Sequence, residues 1–77
     1  MDTMQEIDIM HEMPKLIVGE GQDAMKYANL AIDHREDHPE LADMFMQLSA
    51  DELRHMKTIS DRMAGMVSKL HEQYNNA

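Results

Sequence analysis

The chain holds no cysteine, which rules out disulfides and any metal site built from thiolates. It has no tryptophan, and Tyr27, Phe45 and Tyr74 are its only aromatic residues. Seven basic residues face fifteen acidic ones, for a formal charge of -8. A surface of that sign repels phosphate backbones and anionic lipid, so neither nucleic acid nor membrane is expected as a partner, and cations suit it better. No apolar run approaches the roughly 20 residues that cross a bilayer. The first thirteen residues are acidic and carry no signal-peptide core, so the expected address is cytoplasmic, either free or inside a protein compartment.

With 77 residues the chain is one domain, and so short a chain buries too small a fraction of its surface to be stable without a staple. Since disulfides are excluded, the staple is either oligomerisation or a metal held by oxygen and nitrogen. Ten methionines fill the place of aromatics. They read as flexible, polarisable packing rather than as thioether ligands, which select soft ions.

Alternation of period two is absent, whereas apolar spacings of three and four run almost throughout, so the fold class is all-α. Pro14 and Pro39 read as first-turn helix residues, and His34 to His38 form a polar break. The expectation is an antiparallel hairpin: a first helix over about 14–34, a turn over about 35–38 and a second helix over about 39–74. The first helix carries Leu16, Glu20, Ala24, Tyr27, Ala31 and His34 on one stripe. The second carries Leu41, Phe45, Leu48, Glu52, His55, Ile59, Met63, Met66 and Leu70. With helices of these lengths the far end of the second overhangs, and a short extra helix in residues 1–13, using Met4, Ile7 and Met10, is one way to cover it; a further subunit contact is another. Gly19 and Gly21 cost about 1 kcal/mol each in a helix interior relative to alanine, and close packing beside Glu20 is the reading for both.

Glu20, Glu52 and His55 stand on stripes where a hairpin packed only for stability carries aliphatic residues. A buried carboxylate must be paired, protonated or bound to metal. The Glu-x-x-His pattern alone is weak, since about 0.5 occurrences arise by chance in this composition, and Asp8-x-x-His11 shows how easily. Geometry adds to it. The three-residue step puts Glu52 and His55 on one helix face, and counting from Asp37 places Glu20 and Glu52 within roughly 3 Å of the same height. One hairpin then offers two glutamates and a histidine. Two hairpins related by a two-fold axis offer four glutamates and two histidines, the donor set of carboxylate-bridged di-iron bundles. Asp23 and Asp51 lie one position off their stripes and read either as hydrogen-bond partners of a ligand or as solvated carboxylates. His11, His34, His38 and His71 read as surface residues.

Two stretches together resemble the rubrerythrins and related ferritin-like proteins. Glu20-Gly21-Gln22-Asp23-Ala24-Met25-Lys26-Tyr27 is similar to their first metal-binding helix, and Phe45-Met46-Gln47-Leu48-Ser49-Ala50-Asp51-Glu52-Leu53-Arg54-His55 to the second, the likeness spanning about residues 18–59. The resemblance implies that Glu20 is a terminal ligand, Glu52 a bridging ligand and His55 the nitrogen ligand, with Tyr27 nearby as a redox or hydrogen-bonding neighbour. A typical member carries four helices in one chain. This chain therefore looks like a half-unit that pairs with itself, as some encapsulated ferritins do, in a homodimer or a larger self-assembly. Lacking the cysteines of a rubredoxin-like domain, it needs an external electron donor if it is redox active. The extra acidic ligands of rubrerythrins are not evident. The expectation is two iron ions per dimer, or manganese or zinc in their place, and oxidation of ferrous iron by dioxygen or peroxide. The alternative is a non-catalytic metal-binding or structural dimerisation module.

Overall fold

The computed structural model describes residues 3–76, with the side chains of Gln5 and of residues 7–76. It is a hairpin of two long helices, α1 (Thr3–Asp33) and α2 (Pro39–Asn75), packed antiparallel into a rod 61 × 17 × 16 Å. The turn begins at His34, the start of the polar break and one residue ahead of the expected turn, and α2 starts at Pro39 as its proline signals. A proline there needs no N–H partner and brings its own helical φ.

The beginning of α1 corrects the sequence reading. Pro14 lies inside α1, and residues ahead of it continue the same helix rather than forming a separate one. An interior proline removes one helical hydrogen bond and crowds the preceding turn, at about 3 kcal/mol. The offsetting gain is burial along α2. Ile7, Met10 and Met13 keep the three-residue spacing and are all half-buried, and Met13 lines a cleft with Met66 and Gly65 of α2. The overhang is thus covered by an extension of α1. The side chain of Met4, the third residue of that expectation, lies outside the described residues.

What holds the two helices together is narrow. The described residues that are buried are Ala24, Ala31, Ala42 and Ser49, a seam of small side chains that lets the backbones approach closely. Ser49 belongs there because its hydroxyl donates a hydrogen bond of 2.7 Å to the Ala24 carbonyl of the other helix. Toward the turn, Tyr27 and Phe45 stack with ring centroids 6.3 Å apart. The turn itself is tied by His34 Nδ1 at 3.2 Å from Asp37 Oδ2. That contact, with the two histidines' positive charge, holds the Asp37 carboxyl below its ordinary range.

The glycines separate into two kinds. A side chain on Gly21 would press against Met56, whose Cε lies 3.3 Å away, so close packing accounts for that glycine. At Gly19 and Gly65 nothing stands within 4 Å, which corrects the sequence reading for Gly19. Replacing Gly19 or Gly65 by alanine should raise stability by about 0.5–1 kcal/mol, the helix-propensity difference, while Gly21→Ala should gain less because Met56 must shift. Thermal melts of the three variants check this.

Candidate metal centre

Glu20 projects from α1 two turns before Tyr27, and Glu52 and His55 from facing turns of α2. The expected level is observed: His55 Nδ1 lies 3.4 Å from Glu20 Oε2 and 3.8 Å from Glu52 Oε2. The imidazole sits between two carboxylates contributed by two helices. The side chains of Glu20 and Glu52 are 28% and 18% exposed, against 57% for His55. The carboxylates are therefore partly withdrawn into the seam while the imidazole stands at its lip.

Among the described residues these three form the one group of metal-ligating side chains found close together, with one ligand atom from each lying within 4.8 Å of the others. That span is only slightly wider than two metal–ligand bonds of about 2.1 Å laid end to end, so a small closure of the side chains brings all three onto one ion. Two carboxylates also balance the charge of one divalent cation. Without metal, the same distances leave the imidazole hydrogen-bonded to Glu20 and facing Glu52.

The neighbours shape the group. Met56 covers Gly21 beside it, and the Ser49–Ala24 hydrogen bond fixes the helices one turn away. Ser49 was assigned no role from the sequence; a hydroxyl between Phe45 and Glu52, next to the apolar stripe, was the available sign of a buried cross-helix bond. Asp51 finds its partners on its own helix, accepting from Gln47 Nε2 at 3.2 Å and pairing with Arg54. Asp23 is exposed. Tyr27 stacks on Phe45, about 10 Å of helix rise from Glu20. His11, His38 and His71 are exposed and His34 is half-exposed. Among the described residues no helix is long and apolar enough to cross a membrane.

A long antiparallel hairpin with one glutamate on its first helix and a Glu-x-x-His pair facing it on the second defines an all-α protein of the ferritin-like class. The rubrerythrin family profile matches residues 15–77, and the chain belongs to the rubrerythrin family. No curated protein matches it, and no solved structure does.

Proposed function

We propose that the chain is a di-iron carboxylate protein whose site is completed by homodimerisation, and that it oxidises ferrous iron with dioxygen or peroxide. The observation that carries this is the convergence of Glu20, Glu52 and His55 from two helices onto one spot. Membership of the rubrerythrin family makes iron the favoured ion.

The half-set explains the pairing. Two glutamates and one histidine leave most of an iron ion's coordination open. A second hairpin facing the first brings the donors to four glutamates and two histidines around two ions. The surface also favours closure: the accessible area is 6021 Å², against about 4,800 Å² for a compact monomer of this mass. Around the group, Tyr27, Phe45, Leu48 and Ile59 are only half-buried and Leu16 and Leu41 are exposed, so the face bearing the group has apolar surface left to cover.

In that assembly Glu20, Glu52 and His55 would hold the iron, the two glutamates through oxygen and His55 through nitrogen. The iron pair supplies two electrons, one from each ferrous ion, which reduce dioxygen with two protons to hydrogen peroxide, or peroxide with two protons to two waters. The protein's part would be to hold the ions close together and to limit water around the carboxylates. Repeated turnover draws on an external electron donor.

Elemental analysis on a size-exclusion peak of known mass tests the proposal. About two irons per dimer after loading with ferrous iron are expected. A well-folded dimer that retains no stoichiometric metal would leave a helical dimerisation module and remove the chemistry. Metal retained without any oxidation would leave the non-catalytic metal-binding reading.

A further inference from the structure

The turn that joins the helices carries a cluster that the metal centre does not use. Asp37 and His38 stand three and four residues after His34, and the backbone there keeps helical hydrogen bonds. The His34 N–H donates to the Leu30 carbonyl at 3.1 Å and the His38 N–H to the His34 carbonyl at 2.8 Å. This spacing brings the three side chains to one face. One carboxylate oxygen, Asp37 Oδ2, lies 3.2 Å from His34 Nδ1 and 3.9 Å from His38 Nε2. A single histidine suffices to tie the turn, so a second imidazole directed at the same oxygen calls for a reason. Capping of α2 is not that reason, since His38 makes no side-chain capping bond.

We propose that His34, Asp37 and His38 form a second metal site, separate from the Glu20, Glu52 and His55 group, that takes one divalent transition cation, with zinc the best fit. Two imidazole nitrogens and a carboxylate oxygen, with water as the fourth ligand, are a donor set that zinc accepts in a tetrahedron. Imidazole also selects against hard cations such as magnesium and calcium. With bonds of about 2.1 Å, the donors of a tetrahedral ion stand ~3.4 Å apart. The two distances to Asp37 Oδ2 fall on either side of that value. The third edge, between the imidazoles, is open: the rings stand 6.1 Å apart, centroid to centroid. Both side chains are substantially exposed, at 43% for His34 and 61% for His38, so they have room to swing onto a common ion. A hollow of about 250 Å³ lined by Asp37, His38, Pro39, Glu40 and Leu41 opens beside the carboxylate and accommodates the water.

The surroundings favour a cation at this end of the rod. Residues 33–40 hold four carboxylates, Asp33, Glu36, Asp37 and Glu40, against Arg35 alone. The last turn of α1 has no basic residue, so the negative end of its macrodipole lacks the positive charge that usually complements it. An ion held by His34 on one side and by Asp37 and His38 on the other clips the end of α1 to the start of α2. His34 is fourteen residues beyond Glu20, about 21 Å of helix rise, so the two sites load independently.

The test uses the full chain carrying His55→Ala, which disables the first group, and zinc chloride as the probe. Isothermal titration calorimetry should find one zinc per chain. Adding His34→Ala or His38→Ala to that background should weaken binding at least tenfold, the loss expected when a ligand is removed. None of the three turn side chains is buried, so circular dichroism should show the helices intact in every variant. Absence of saturable zinc binding in the His55→Ala chain would overturn the proposal, and so would binding undiminished by both turn substitutions. Half a zinc per chain, an ion shared between two chains, would overturn it as well. In the otherwise unaltered chain, His34→Ala should leave iron per chain and the rate of ferrous-iron oxidation unchanged. Zinc bound at the turn of a protein that never retains iron would support this site while removing the proposed function.

Discussion

Replacing His55 with alanine is expected to abolish both stoichiometric iron and ferrous-iron oxidation while leaving the helices formed. His55 is the nitrogen donor of its group, and its loss leaves each hairpin with two carboxylates alone. Removing even a supporting partner of a metal ligand costs about 10–100-fold in affinity, and loss of the ligand itself should exceed that. The fold should tolerate the change. The imidazole is 57% exposed, so little burial is lost, and alanine is the better helix former. Far-ultraviolet circular dichroism should therefore match the parent, with bound iron near zero and the initial oxidation rate at the uncatalysed level. Full oxidation by this variant would sink the proposed function, whatever the oligomeric state.

The second large effect is on stability. A metal bound only to the folded assembly stabilises it by mass action, by about 2.7 kcal/mol when free metal stands at 100 times its Kd. In a domain this small that corresponds to roughly 10–20 °C of melting temperature. Adding a chelator to loaded protein should lower the melt by that order. Glu52→Gln removes one of the two carboxylates of the group, so the melt of that variant should be indifferent to both metal and chelator. A parent whose melt ignores both metal and chelator would leave the three side chains as an internal ion-pair cluster of a structural helical module.

The hairpin was legible in the sequence because its signals are local. Three-four spacing, a polar break and Pro39 suffice to give two antiparallel helices and their register. The group of Glu20, Glu52 and His55 was legible for the same reason, since helical rise alone sets their level. Pro14 misled because its local preference for a first turn competes with a tertiary gain, the packing of Ile7, Met10 and Met13 on the second half of α2, which no local rule contains. The role of Ser49 depends on a carbonyl 25 residues away, so it emerges only once the helices are docked.

The pairing proposed for the site would have an evolutionary corollary. Were a copy of the same chain to supply the other half, every substitution would be written into the centre twice, and its two halves would be identical by symmetry. Gradual specialisation of one position for oxidation and the other for storage is then closed to this gene. It becomes available only after duplication, when two diverging chains can pair or fuse and the two halves can drift apart.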